Sequence, residues 1–227
     1  MNKKALIFLI ILAAVAGGFF YLWEVWIPAQ IKKEIAEKER EEQLRREQER
    51  PRLFSKEDYK IEERGDGKYI VVEKVGLTAK VPEGWKSEIK GDDVPEPEYW
   101  INIFSPDTEI SGGIVAKGCG VSIMAETAKE TVETLKKNIT LIQENPQIKA
   151  EEISLQYKDY ILEVVKISNH QALKWIGPEN PKIGQGAGVE IPLQEDRLIS
   201  LATRFPLGYK EKCFLIWEDF LKNVVIE

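Results

Sequence analysis

The sequence predicts an α+β fold: a mostly antiparallel β-sheet covered by two main helices, preceded by a transmembrane helix and a charged helical stalk. Three observations predict it. Residues 5–27 form one apolar run, residues 28–52 are nearly all charged or amide residues, and residues 53–227 alternate short strand-like segments with two amphipathic stretches. Few of the connections are long enough for parallel crossovers, which favours antiparallel pairing. The predicted parts are an anchor (1–27), a stalk (28–52) and one globular domain (53–227).

The apolar run is long enough to cross a bilayer. Residues 5–27 carry a single charge, Glu24, and as a helix they would extend roughly 34 Å, against about 30 Å for a hydrocarbon core. The run contains Ala14-Val15-Ala16, a pattern that signal peptidase cuts, so cleavage after Ala16 is the alternative. Aromatic residues typical of a membrane interface follow that point. An uncleaved, single-pass signal-anchor is therefore the favoured interpretation.

The charged segment is predicted to be a helical spacer. Residues 28–52 are rich in helix-forming side chains, and Glu34 and Glu41 each precede a basic residue by four positions, the favourable order for a helical ion pair. A coiled coil is the alternative, but the few apolar residues form no sustained heptad seam. A solvated stalk is the expectation.

The globular part shows the periods of strands and of two helices. Asp66-Gly67 lies between two β-prone runs and predicts a hairpin. Apolar residues at steps of three and four predict helices over about 126–143 and 207–223. Strands are predicted at 59–63, 68–74, 77–82, 84–89, 99–105, 113–125, 151–157, 160–167, 171–177, 188–194 and 197–205.

The order of these segments resembles the PsbP-like α/β sandwich family. Residues 76–89, GLTAKVPEGWKSEI, are similar to the family's opening strand and turn through Pro82, Gly84 and Trp85. A strand leading into a helix, a hairpin over 160–175 and a closing strand and helix keep the family's order across residues 68–227. The resemblance implies a non-catalytic binding or assembly module. It carries no ligand-binding residue over to this chain.

Charge and composition exclude one class of partner. The formal net charge is −6, and the acidic excess lies in the globular part. An acidic domain repels phosphate backbones, so no nucleic-acid partner is predicted. No cofactor is predicted either. Residues 184–188, GQGAG, lack the Lys-Ser/Thr pair of a phosphate-binding loop and are predicted to form a mobile hairpin-type loop.

Few residues support a catalytic or a metal-binding function. His170 is the only histidine, and with Cys119 or Cys213 it could form a Cys-His pair, although a plain turn histidine is favoured. No metal site is predicted. If a metal binds, its candidate ligands are in the acidic loop, which lacks the spacing of a calcium loop and is favoured as merely solvated; they are Asp92, Asp93, Glu96 and Glu98.

The two cysteines are the pair with a testable structural role. By alternation Cys119 shares a strand face with Val121 and Ile123, and Cys213 lies on the inner side of the last helix. A disulfide could join them in an oxidising compartment, whereas free buried thiols are the alternative.

Taken together, these features predict a membrane-tethered binding or scaffolding domain. Lys3 and Lys4 precede the apolar run, which favours a globular domain outside the cytoplasm. Its expected partners are the membrane, through residues 5–27, and other envelope proteins. A secreted or anchored binder of small molecules or metals is the alternative, and a Cys/His-dependent enzyme is the less favoured third.

Overall fold

The computed structural model describes most of the globular part of the chain. The described residues are 52–91, 98–112, 114–194 and 196–227, together with Lys38 and Arg40, which are helical and exposed. Residues Pro51–Glu227 form one compact unit.

Its elements are fourteen described strands and three described α-helices. The helices are α1 (Lys129–Glu144), α2 (Ala150–Ile153) and α3 (Lys210–Lys222). The strands are β1 (Arg52–Leu53), β2 (Tyr59–Arg64), β3 (Gly67–Val72), β4 (Leu77–Lys80), β5 (Lys86–Gly91), β6 (Tyr99–Phe104), β7 (Glu109–Ser111), β8 (Ile114–Lys117), β9 (Gly120–Thr127), β10 (Ile161–Ile167), β11 (His170–Ile176), β12 (Gln185–Pro192), β13 (Arg197–Phe205) and β14 (Val224–Ile226).

Two antiparallel sheets and a small hairpin contain these strands. The large sheet has the order β10-β11-β12-β13-β9-β6-β5, with β1 also paired to β9. The small sheet has the order β14-β4-β3-β2, and β7 pairs only with β8. In the large sheet Ile123 of β9 lies between Leu201 of β13 and Ile101 of β6, which fixes the register of its centre.

The main core lies on one face of the large sheet, called here the inner face. Strand alternation sends Val121, Ile123 and Ala125 of β9 to this side, where all three are buried. The small sheet contributes Ile70 and Leu77, and α3 contributes buried apolar side chains that include Trp217 and Phe220. The small sheet and α3 therefore share one core with the large sheet.

Helix α1 covers part of the opposite, outer face. Its residues Val132, Leu135 and Ile139 are buried against Leu173 of β11 and Leu198 of β13. These three positions follow the helical spacing of four and three that the sequence shows. The rest of the outer face, toward the Arg204 end of β13, carries the candidate site.

Tyr59 links the small sheet to the large one. Its hydroxyl accepts a hydrogen bond from the Ala125 amide at 2.9 Å and donates to the Ala125 carbonyl at 3.3 Å. Burial is the largest cause that raises the pKa of Tyr59 to about 12. The phenol therefore completes backbone hydrogen bonds of β9 beyond the end of β6, in its neutral form.

The predicted fold class is wrong. Instead of a single sheet covered by two helices, the described residues form two antiparallel sheets that share a core, a separate hairpin and three helices. Three strands of the second sheet were predicted, but its separation from the large sheet was not, because it depends on pairing with β14, which continues directly from the end of α3.

The predicted membrane and coiled-coil features are corrected as well. In the described part of the chain, no helix combines the length and apolar character needed to cross a membrane. The longest of these helices, α1, has 16 residues and one charged face, against about 20 apolar residues for a span. The predicted span 5–27 and nearly all of the predicted stalk 28–52 lie outside the described residues.

Three local predictions also need correction, and two are confirmed. Residues 151–157, predicted as a strand, belong to α2 and a following 3₁₀ turn. The strand predicted over 188–194 begins earlier, at Gln185 in the predicted loop, and residues 224–226, where no strand was predicted, form β14. The hairpin at Asp66-Gly67 and the apolar stripe of α1 are confirmed.

Candidate functional site

A groove lies on the part of the outer face that α1 leaves uncovered. It is a cavity of about 290 Å³, at the lower end of the size of small-molecule sites. Its lining comes from β6, β8, β9, β11, β12 and β13. We call it the outer-face groove, and its residues are Phe104, Ile114, Val115, Gly120, Ser122, Trp175, Gly186, Ala202, Thr203 and Arg204.

Small residues in register form the floor of the groove. Arg204 of β13 lies opposite Gly120 of β9 on one side and Gly186 of β12 on the other. One step along the strand, Ala202 lies between Ser122 and Gly188. Because side chains alternate along a strand, all of these positions share the outer face. The Trp175 ring already covers Gly188, and Phe104 and Val115 cover Gly120, so the open backbone of the floor lies at Gly186.

Trp175 forms one wall, and glycine makes its position possible. A Cβ at Gly188, its partner across β11 and β12, would lie 2.5 Å from the Trp175 ring, so only glycine fits there. The Tyr160 ring packs beside the indole with centroids 5.9 Å apart. The Trp175 side chain also donates a hydrogen bond to Glu190. The indole is held on two sides before any ligand arrives.

Arg204 places a cation at the open end of the floor. Its Nη1 atom is buried and has no hydrogen-bond partner among the described residues. Arg64, by contrast, pairs with Glu62, and Arg197 donates to the Lys74 carbonyl. A buried N–H without a partner costs free energy, so such groups are nearly always satisfied by protein, water or ligand.

Two acids lie farther along the same face. Burial is the main cause that raises the pKa of Glu190, partly offset by the hydrogen bond from Trp175. Burial also raises the pKa of Glu126, with further contributions from the charges of Glu190 and Glu98. One end of the outer face is therefore basic, and the other end carries mutually repelling carboxylates.

These raised pKa values predict a stability that falls with pH. The folded state binds the Glu190 proton more tightly than the unfolded state, whose reference pKa is 4.5. The stabilisation is thus complete below pH 4.5 and is lost as pH rises through the raised folded-state pKa. Replacing Glu190 with Gln, which keeps an oxygen for Trp175, is expected to flatten this decline in urea unfolding measured between pH 4.5 and 7.5.

Asp66 provides the matched control for this measurement. Hydrogen bonds from Tyr69 and Lys80 lower its pKa below 3.8, so its contribution changes only in more acidic solution. Asp66→Asn is expected to leave the slope above pH 4.5 unchanged. Equal slopes for wild type and Glu190→Gln would contradict the assignment.

The two cysteines form a disulfide. Cys119, just before β9, is bonded to Cys213 in the first turns of α3, and each residue is 2% exposed. The Cys119 amide donates to the Ser105 hydroxyl at 2.9 Å, and the Ser105 amide donates to the Cys119 carbonyl at 2.9 Å. The disulfide joins α3 to the start of β9, and the two hydrogen bonds join the β6–β7 turn to the same point.

His170 lies far from this disulfide. It begins β11 beside Leu193, Gln194 and Arg197, at the end of the large sheet where β12 turns into β13. Cys119 lies near Gly120, which pairs with Arg204 at the opposite end of β13. The structure therefore does not bring together the residues of the suggested Cys-His pair.

The acidic loop is described at one residue only. Asp92, Asp93 and Glu96 lie outside the described residues, and Glu98 lies close enough to Glu126 to affect its pKa. Among the described residues there is no group of three or more His, Cys, Asp or Glu side chains that could hold a metal ion. Metal binding by this loop stays a prediction.

Comparisons with known proteins give no family. No protein-family model matches the chain, and no curated protein matches it. Among solved structures, a crystal structure from Bacteroides thetaiotaomicron VPI-5482 is similar with 10% sequence identity and a TM-score of 0.38. The match covers 67% of this chain and 45% of that one, so the chain spans less than half the length of that protein. We take neither a fold nor a function from a likeness at this level, and the PsbP-like resemblance stays a prediction.

Sequence reasoning missed the groove, although part of its signal is present. Gly186 and Gly188 are two residues apart, the spacing that puts both on one face of a strand. Ala202 and Arg204 show the same spacing in a segment that was predicted as a strand. Reading GQGAG as a loop hid this pattern, because glycine-rich runs are more often turns.

Proposed function

We propose that this domain is a non-catalytic binding domain of an oxidising compartment outside the cytoplasm, and that the outer-face groove holds its ligand. The observation that carries the proposal is the groove itself: a cavity with a backbone floor, an aromatic wall held in place by Gly188 and Glu190, and a guanidinium at one end. Apolar walls with a few placed polar groups are typical of ligand sites.

The disulfide supports the compartment. Bonds of this kind persist in secreted and extracytoplasmic proteins and are rare where glutathione and thioredoxin keep thiols reduced. Because Cys119 and Cys213 are both bonded, neither offers a thiolate for catalysis while the bridge is intact. The PsbP-like resemblance implies the same class of function, a binding or assembly module.

The groove can be tested with a neutral, flat probe. Titrating the full chain with 2-naphthol and recording nitrogen-proton NMR spectra is expected to give a saturable shift of the Trp175 indole signal, assigned through Trp175→Phe. The signals of the other five tryptophans are expected to move little. The absence of any saturable shift at Trp175 would overturn the proposal.

A variant that fills the floor tests the location. A Cβ at Gly186 would meet its nearest neighbour, Trp175, at an ordinary 3.7 Å, so Gly186→Leu adds bulk inside the groove without a backbone clash. It is expected to weaken 2-naphthol binding at least tenfold. Gln171→Leu adds a similar apolar group to the same face of β11 outside the groove and is expected to leave binding unchanged. Equal binding by both variants would show that the probe binds elsewhere.

A further inference from the structure

Arg204 in the outer-face groove indicates the chemical class of the ligand. This inference rests on the function proposed above. Arg204 is half-buried, its Nη1 atom has no hydrogen-bond partner, and among the described residues its side chain forms no ion pair. An acid on the β5 side of the face, Glu88, pairs with Lys90 at 3.3 Å. The guanidinium is therefore available to a group that the protein itself does not supply.

Guanidinium chemistry favours a planar, two-oxygen anion. Arginine presents paired N–H donors in a fixed fork that matches a carboxylate, and such charge-assisted pairs are among the stronger hydrogen bonds. Nη1 itself is enclosed by the protein, so a carboxylate would bind the N–H groups on the accessible side of the half-buried guanidinium.

The walls and floor favour a flat apolar body next to that anion. Gly120 and Gly186 flank Arg204 on its two sides. The Phe104 ring packs over Gly120, whereas an added Cβ at Gly186 would be 3.7 Å from Trp175, so the open backbone lies on the Gly186 side. Trp175 and Phe104 line the groove on either side of this glycine strip. Aromatic rings bind planar groups through offset or edge contacts.

The charge of the rest of the face argues against a multiply charged anion. Glu190 and Glu126 lie on the same outer face, and the chain as a whole has a formal net charge of −6. Such a field disfavours a phosphate dianion far more than a single carboxylate. We propose that the outer-face groove binds a small organic monocarboxylate with a flat apolar or aromatic body, its carboxylate on Arg204 and its body between Trp175 and Phe104.

Three matched probes separate this inference from the proposed function. They are 2-naphthoate, 2-naphthamide and 2-naphthol, which share one ring system and differ in charge. At pH 7, isothermal titration of the full chain is expected to give 2-naphthoate about tenfold or more tighter than 2-naphthamide, the range of one charged hydrogen-bonded contact. The preference is expected to weaken in high salt.

Variants at Arg204 test whether this side chain causes the preference for 2-naphthoate over 2-naphthamide. Arg204→Gln is expected to remove the advantage of 2-naphthoate and to leave 2-naphthamide binding within about twofold. Arg204→Lys keeps the charge without the fork and is expected to retain only part of the advantage. The control is Lys86→Gln. Lys86 is an exposed cation of β5 that lies in register with Phe104, Gly120 and Arg204 across the sheet. Its replacement is expected to change the affinity ratio of 2-naphthoate to 2-naphthamide by less than about threefold.

Each outcome has a definite meaning. Equal affinity of wild type for the charged and neutral probes, with 2-naphthol still shifting Trp175, would overturn the carboxylate inference and leave the binding function standing. A preference that survives in both Arg204 variants would also overturn it. Failure of all three probes would overturn both proposals. The wild-type comparison decides the question even if a variant at Arg204 does not fold.

Discussion

Removal of the Cys119–Cys213 disulfide is expected to lower the free energy of unfolding by about 2–5 kcal/mol. The bridge joins residues 94 positions apart, so it closes a long loop and restricts the unfolded chain strongly. In the folded state it connects β9 to the start of α3, whose Trp217 and Phe220 complete the main core. Urea unfolding of Cys119→Ala/Cys213→Ala against the oxidised wild type measures the difference.

The reduced wild-type protein separates the cross-link from packing. Reduction keeps both sulfur atoms in the core, whereas the double alanine variant also removes their volume. We expect the reduced protein to lose most of the stability that the double variant loses. Since each cysteine is 2% exposed, reduction of the native protein is expected to follow its unfolding rather than the reductant concentration alone. A loss below 1 kcal/mol in both cases would contradict a stabilising role.

The sequence predicted correctly those helices and turns that depend only on neighbouring residues. The stripe of Val132, Leu135 and Ile139 needs only a helical period, and the hairpin at Asp66-Gly67 needs only the turn. Strand alternation placed Cys119 on one face of a strand, and the apolar spacing of the last helix placed Cys213 on its inner side. These features follow from residues close together in the sequence.

The features that the sequence did not reveal depend on distant partners. Residues Val224–Ile226 form a strand only because β4 offers an unpaired edge. Residues 151–157 alternate in polarity, but they form α2 and a 3₁₀ turn between α1 and β10, where Tyr157 packs against the buried side chains of α1. The groove joins Phe104 to Arg204, a hundred positions apart, through a sheet order that no single segment encodes.

The glycines of the groove illustrate why type and context must be read together. In a turn, glycine supplies a positive φ, as Gly184 does with φ of +82° just before β12. Four residues later the same residue type supplies empty space instead, since Gly188 accommodates the Trp175 ring. The stretch GQGAG contains both uses, and only the pairing of β12 with β11 distinguishes them.

Loss of the Glu218 carboxylate is expected to cost about 2–4 kcal/mol of folding free energy. Lys174 of β11 extends into the inner side of the large sheet, its side chain only 8% exposed, and its Nζ lies 2.6 Å from the Glu218 carboxylate of α3. The other carboxylate near it, Glu163, is 3.8 Å away and mostly exposed. Glu218→Ala therefore leaves a buried ammonium with one distant carboxylate and the face of the Phe214 ring at 5.6 Å. Urea unfolding at pH 7 measures the loss of stability.

Comparison with three variants tests whether burial is the reason. Lys174→Met removes the buried charge and leaves Glu218 free to be hydrated, since its side chain is 31% exposed, so a smaller loss than for Glu218→Ala is expected. The double variant is expected to be more stable than Glu218→Ala alone, because it no longer buries an unpaired charge. The control is the exposed Lys210–Glu179 pair, at 2.9 Å, where Glu179→Ala is expected to cost less than about 1 kcal/mol. If Glu218→Ala and Glu179→Ala lower the free energy of unfolding equally, burial of Lys174 is not the reason that Glu218 stabilises the fold.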